Sequence, residues 1–224
     1  MESNAAEVQA RIAILNRLLA EVYGPQARSE HDALETLMLT ILSQNTNDVN
    51  RDRAYRELRR RFPTWESVRD AAPAEVVDAI RIAGLANQKG PRMQEALLAI
   101  TARSGSLTLD FLGQMDMNEA RAWLMSIKGV GPKTAAIVLC FAFGQPAFPV
   151  DTHVHRVTRR LGLIGPKVGR EQAHVILEAL VPPEMCYAFH LNLIEHGRRL
   201  CKAGRPLCEI CPLRPYCQYA QSVL

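Results

Sequence analysis

Lys128-Gly129-Val130-Gly131-Pro132-Lys133-Thr134-Ala135 interrupts a helical pattern with a turn, and its reading decides the rest of the chain. Upstream, Asn118 to Ile127 has helical periodicity. Downstream, Pro132 suits the first position of a second helix that runs through Ala135, Ile137, Val138 and Leu139. Gly129 and Gly131 permit a tight connection, so the stretch reads as a helix-hairpin-helix. Such a turn brings its backbone close to a phosphate, and the free N–H groups and positive dipole end of the second helix attract that anion. Contact of this kind touches only the sugar-phosphate chain and is blind to base sequence. An ordinary helix connection with a glycine C-cap has the same G-x-G signature. Pro132 and Lys133 directly behind the turn, with a cysteine cluster downstream, favour the phosphate-gripping reading.

That cluster is Cys201, Cys208, Cys211 and Cys217, spaced C-x6-C-x2-C-x5-C. Four soft thiolates in a short loop satisfy either a tetrahedral metal or an iron-sulfur cluster. The N-terminus, Met1-Glu2-Ser3-Asn4, has no basic start or apolar stretch of a secretory signal, and no apolar run reaches membrane-spanning length. A cytoplasmic protein is therefore expected, with little use for these cysteines as disulfides. Cys140 and Cys186 have no partner at metal spacing and read as small core residues. Residues 1–111 hold 14 Lys+Arg against 15 Asp+Glu, net −1, whereas 112–224 hold 13 against 8, net +5, so the basic excess accompanies the hairpin and the cysteines. Arg outnumbers Lys 22 to 5, which favours forked contacts to phosphate.

Apolar residues recur at helical spacing in Ile12, Leu15, Leu19 and Val22, in Leu34, Leu37, Met38, Ile41 and Leu42, and in Met93, Leu97, Leu98 and Ile100. Strand signals are nearly absent. Ser29 three residues before Asp32 reads as a helix start, Pro73 as a first helical turn, and Gly84 and Ser104-Gly105-Ser106 as breaks. The pattern predicts an all-α protein of about ten short helices. The 201–217 loop is too short and too rich in Pro206, Pro212 and Pro215 to fold alone, so it should dock on the helix ending near Arg199.

Lys133 falls in the first turn of the second hairpin helix, where the dipole and nearby Lys128 work against its ammonium form. A neutral amine there is a nucleophile for a sugar C1′. The Schiff base so formed loses a C2′ proton and eliminates the 3′ phosphate. The plainer reading makes Lys133 one more phosphate contact. Asp151 follows Phe148-Pro149-Val150 and precedes a helical segment, a natural N-cap position. A carboxylate kept ionised by backbone N–H groups also stabilises positive charge as a base leaves C1′. His153 and His155 are two apart, on different faces of a helix, and do not read as a metal pair.

These residues resemble the endonuclease III family of DNA glycosylases: Lys128 to Ala135, then Val150-Asp151-Thr152-His153 eighteen residues beyond the lysine, then His196-Gly197-Arg198 leading into the cysteine loop. The likeness runs from about Ala33 to Cys217. It implies a two-domain all-α fold with a groove for double-stranded DNA between the domains. One is a helical barrel, 25–135, holding the hairpin; the other joins 1–24 to 136–224 around a [4Fe-4S] cluster held by Cys201, Cys208, Cys211 and Cys217. Zinc is the alternative on spacing. The resemblance further implies that Lys133 is the Schiff-base nucleophile and Asp151 the catalytic carboxylate. Gly129, Val130 and Gly131 would grip phosphate, with Lys202, Arg205 and Arg214 on the basic loop near other phosphates. Leu42-Ser43-Gln44 resembles the segment whose polar side chain fills the gap left by an extruded nucleotide, and Gly84-Leu85 the turn whose leucine wedges into the stack. Two departures bear on substrate range: Asn45-Thr46-Asn47-Asp48 replaces a more usual alanine-containing run, and Ala86 stands where an aromatic residue is common.

The favoured function is therefore a monomeric bifunctional enzyme of base-excision repair that removes oxidised pyrimidines and nicks abasic sites by β-elimination. A monofunctional glycosylase is a related alternative, although the adenine-removing branch generally lacks lysine at the position of Lys133. A DNA-binding module without catalysis is a second alternative, and a ferredoxin-like electron carrier a third, opposed by the large helical core around a single cysteine set.

Overall fold

Gln44 ends one helix and Leu85 begins another, and most of the chain between such points is helical: the described residues form twelve α-helices joined by short 3-10 turns and loops, with no strand among them. The computed structural model describes residues 2–223, with side chains for 6–222; Met1 and the side chains of Glu2, Ser3 and Asn4 lie outside these. In chain order the helices are α1 (Glu2–Tyr23), α2 (Ala33–Ser43), α3 (Asp48–Arg61), α4 (Trp65–Asp70), α5 (Pro73–Ala79), α6 (Ala86–Ser104), α7 (Met117–Ser126), α8 (Pro132–Phe143), α9 (Thr152–Leu161), α10 (Arg170–Leu180), α11 (Cys186–Arg199) and α12 (Gln218–Val223). No helix among the described residues is long and apolar enough to cross a membrane.

The chain divides into two compact units, 30–143 and 1–29 with 144–224. The boundaries differ from the 24/25 and 135/136 divisions expected from the sequence. A cut at 135 would split α8, whose Ala135, Ala136, Val138, Leu139 and Cys140 are all buried, so the helix stays whole with the hairpin that starts it.

In the 30–143 unit, α2 is the central element and packs on α8, α3 and α6, while α4 and α5 lie along α6 and α7 pairs with α8. Leu37, Met38, Ile41 and Leu42 of α2 are fully buried, as the helical spacing predicts. Its cap is Asp32 itself, whose side chain accepts from Glu35 N–H, so Ser29 is not the helix start. In the other unit α11 packs on α9 and α1, and α12 closes on α9. Ile12, Leu15 and Leu19 form the buried stripe of α1, but Val22 is exposed, as is Leu98 on α6. Both fit the apolar count while pointing away from the core.

Candidate functional site

The hairpin has the expected form. Ile127 ends α7, Val130 N–H donates to Ile127 C=O at 3.0 Å, and Ala135 N–H donates to Gly131 C=O at 3.0 Å to open α8. Gly129 has φ +87°, a conformation costly for any residue with a Cβ, and a Cβ there would lie 2.5 Å from Arg92 Cδ. Gly131 has no such reason within the protein: its φ is not left-handed, and nothing lies within 4 Å of where its Cβ would stand. Space kept open at the mouth of a helix suits an incoming anion. Val130 contributes differently from expectation. Its side chain is buried and its N–H is already used, so Gly131, Lys133 and Thr134 are left to offer unpaired N–H groups at the start of α8. The half-buried Lys133 amine has no hydrogen-bond or ion-pair partner among the described residues, whereas Lys128 pairs with Glu95 at 3.4 Å on the surface.

Gln44, the C-cap of α2, braces this turn. Its Nε2 donates to Gly129 C=O at 3.0 Å, and its Oε1 accepts from Arg92 at 3.4 Å. Leu85 stands at the start of α6 with φ +52°, one of two non-glycine residues in the left-handed region among the described residues, and it is 46 % exposed. A leucine held in a strained backbone conformation and left in water is unfavourable on both counts, a departure of the kind that clusters at binding and catalytic sites. The other left-handed residue is Asn45. The unusual Asn45 to Asp48 run is thereby explained locally: Asn45 supplies the reversal, Asn47 caps α3 by accepting from Asn50 N–H, and Asp48 pairs with Arg51 in the first turn.

Asp151 caps α9, its Oδ1 accepting from Val154 N–H at 2.7 Å, while Oδ2 has no hydrogen-bond partner among the described residues. The segment delivering it is fixed by three side chains that the sequence did not single out. Glu178 accepts from Phe148 N–H at 3.1 Å, His174 Nδ1 donates to Phe148 C=O at 3.0 Å, and His190 Nδ1 donates to Pro149 C=O at 2.9 Å. His153 and His155 go separate ways, to Arg156 and to Val168 C=O, so no metal pair forms. Gly197 permits α11 to approach α9, since a Cβ there would lie 2.9 Å from His153 Cβ.

Cys201, Cys208, Cys211 and Cys217 line one cavity, walled by Val157, Leu161, His196, Leu200 and Leu213. Among the described residues no three His, Cys, Asp or Glu groups converge closely enough to hold a single metal ion. Four soft sulfurs lining one cavity are the donor set that an iron-sulfur group requires. Burial pushes the Cys211 thiol up to about 11 and the Cys217 thiol up as well, with the neighbouring thiolates adding to both, so four thiolates here call for a cationic group between them. The loop docks as expected on the end of α11, through Cys201 N–H to His196 C=O at 2.8 Å and Leu207 N–H to Leu200 C=O at 3.0 Å. It is also stapled by two arginines one turn apart on α9. Arg156 donates to Cys201 C=O at 3.0 Å; Arg160 donates to Cys201 Sγ at 3.3 Å, Lys202 C=O at 2.7 Å and Ala203 C=O at 3.0 Å. His196 lies against Cys211 Sγ at 3.6 Å through Nε2 and against the Tyr23 hydroxyl at 3.0 Å through Nδ1. Burial lowers its pKa to about 4, so it is a neutral imidazole. Lys202, Arg205 and Arg214 are exposed on this loop.

Residues 38–183 match the family model of the HhH-GPD superfamily base excision DNA repair protein, and 201–217 match the iron-sulfur binding domain of endonuclease III. Endonuclease III of Thermotoga maritima is 34 % identical over 87 % of this chain and 87 % of its own length. That of Sulfolobus acidocaldarius is 34 % identical over 82 % of this chain and 81 % of its own. The chain belongs to the endonuclease III family. Solved endonuclease III–DNA structures share its fold, among them a trapped covalent intermediate with a TM-score of 0.79 at 27 % identity, spanning 96 % of this chain and 97 % of that one. As an endonuclease III family member the protein is a DNA-repair glycosylase that binds DNA and carries an iron-sulfur site. Of the residues singled out by sequence, Lys133, Gln44, Leu85 and the hairpin glycines belong to the 30–143 unit. Asp151, the four cysteines and the basic loop residues belong to the other.

Proposed function

We propose that this endonuclease III family member is a bifunctional glycosylase that removes oxidised pyrimidines from duplex DNA and cleaves the resulting abasic site. The observation that carries the reading is the Lys133 amine, unpartnered at the mouth of a turn whose glycine and N–H groups stand open to an anion. Gly129, Gly131 and the first N–H groups of α8 hold the phosphates, while Lys202, Arg205 and Arg214 add charge to the grip. Gln44 and Leu85 fill and wedge the stack as the damaged nucleotide is turned out. The amine lone pair attacks C1′, forming a C–N bond as the C1′–base bond breaks and the base leaves with the electron pair. Asp151, whose Oδ1 caps α9 and whose Oδ2 has no hydrogen-bond partner among the described residues, stabilises the positive charge at C1′ and accepts the proton shed by the amine. The C1′–O4′ bond then breaks, O4′ keeping the electron pair and taking the proton that Asp151 had accepted, which gives the iminium Schiff base. Loss of a C2′ proton then expels the 3′ phosphate, and hydrolysis returns the lysine.

The cysteine loop would hold a [4Fe-4S] cluster, whose part here is to order the basic loop. A single copy of the chain suffices for these roles. That an endonuclease III similar to this chain was trapped in covalent union with DNA supports the amine's role. The test is borohydride reduction on duplex DNA containing an abasic site. The wild-type protein should give a stable protein–DNA adduct, and Lys133→Gln should give none while still binding the duplex. Adduct formation undiminished by Lys133→Gln would refute the assignment. Absence of any adduct or strand cleavage with the wild-type protein would leave a monofunctional glycosylase.

A further inference from the structure

Lysine is rarely buried without a carboxylate beside it, yet Lys89 is 1 % exposed and forms no ion pair among the described residues. Its Nζ instead donates to two main-chain carbonyls, Leu42 C=O at 2.8 Å and Ala83 C=O at 2.8 Å. Both are helix-end acceptors. Leu42 lies in the last turn of α2 and Ala83 closes the 3-10 turn Arg81–Ala83, and among the described residues neither carbonyl accepts a backbone N–H. Each also stands two residues before a side chain already placed at the DNA: Leu42 before Gln44, Ala83 before Leu85. Lys89 touches the second segment again, its own N–H donating to Leu85 C=O at 3.0 Å.

We infer that Lys89 is a positioning residue for nucleotide extrusion, a buckle that joins the gap-filling segment at Gln44 to the wedge at Leu85 so that both enter the duplex as one rigid body. The inference rests on the reading of Gln44 and Leu85 as inserting side chains. Leu85 persists in a left-handed backbone only because its surroundings over-determine it, and Lys89 holds Ala83 C=O just before that conformation and the C=O of Leu85 itself. A partly unbuckled wedge would lower the fraction of protein ready to insert, leaving the phosphate grip of the hairpin untouched.

The experiment measures extrusion directly, by stopped-flow fluorescence of 2-aminopurine placed beside a tetrahydrofuran abasic analogue in duplex DNA. Lys89→Met leaves two buried carbonyls unsatisfied and should slow the fluorescence rise by about tenfold or more. Affinity for undamaged duplex and iron content should stay at wild-type values. In a Leu85→Ala background the same Lys89→Met change should add little, because the wedge it positions is gone. Full additivity of the two substitutions, or extrusion at the wild-type rate in Lys89→Met, would overturn the inference. Unchanged extrusion in both Gln44→Ala and Leu85→Ala would refute the inserting roles themselves and is thus distinguishable. If Lys89→Met does not fold, hydrogen exchange on the wild-type protein decides: peptides spanning 42–48 and 82–89 should open with one common protection, and independent opening would sink the buckle.

Discussion

Replacing Gly131 by Ala isolates the phosphate grip from the fold. Gly131 has no left-handed φ and no atom within 4 Å of a would-be Cβ, so the substitution meets no clash inside the protein. Two small terms oppose each other: Ala caps a helix less well than Gly, by roughly 0.5–1 kcal/mol, and it narrows the unfolded ensemble by about 0.4–1 kcal/mol. The net change in stability is near zero, with a melting temperature within about 2 °C of wild type. A bound phosphate would meet the new methyl group. Losing one charge-assisted N–H contact to it costs about 1.5–3 kcal/mol, weakening duplex affinity about tenfold to a hundredfold. Gly129→Ala is the contrasting control. There the left-handed backbone costs about 1–2 kcal/mol, and Arg92 must also move, so the melting temperature should fall by roughly 4–8 °C. Fluorescence anisotropy with labelled duplex and a thermal melt of each variant read both quantities. Gly131→Ala binding DNA as tightly as wild type would refute the idea that the open space is kept for phosphate.

Asp151→Asn keeps a capping oxygen for Val154 N–H, so stability and DNA affinity should hold while base release under single-turnover conditions falls by at least about a hundredfold; a parallel loss of binding would make the residue's role structural. Cys208→Ala should lose iron and solubility together, read by iron assay and by yield of soluble protein, and a soluble, iron-free, fully active variant would contradict the proposed cluster role. Duplex affinity should fall as salt rises. Replacing Arg205 or Arg214 by Ala should reduce the slope of log K against log salt by about 1 each, and an unchanged slope would remove that residue from the phosphate contacts.

The hairpin, the four cysteines, the capping position of Asp151 and the burial of Cys140 and Cys186 were all legible because each is local: a glycine pair, a spacing, a helix start, an apolar neighbourhood. What escaped the sequence is what only tertiary proximity creates. Arg156 and Arg160 look like ordinary surface charges on α9 until the cysteine loop folds onto them, although their one-turn separation beside that strongly one-sided helix was a usable hint. Glu178, His174 and His190 reach the Asp151 segment from α10 and α11, which nothing in their own neighbourhoods announces. Val130 was expected at the phosphate along with its flanking glycines, yet a valine in a packed unit follows its hydrophobicity inward. Val22 and Leu98 share the helical repeat yet are exposed, since periodicity registers an apolar residue near a helix face without resolving whether that edge is covered.

The unit built from 1–29 and 144–224 has its halves separated by the whole of the other unit. During synthesis on the ribosome, 30–143 can collapse as soon as it emerges, while α1 must wait, its Ile12, Leu15 and Leu19 stripe unclaimed, until α11 follows. The four-cysteine loop follows α11 in the sequence, so its cavity too can close only after 30–143 has emerged.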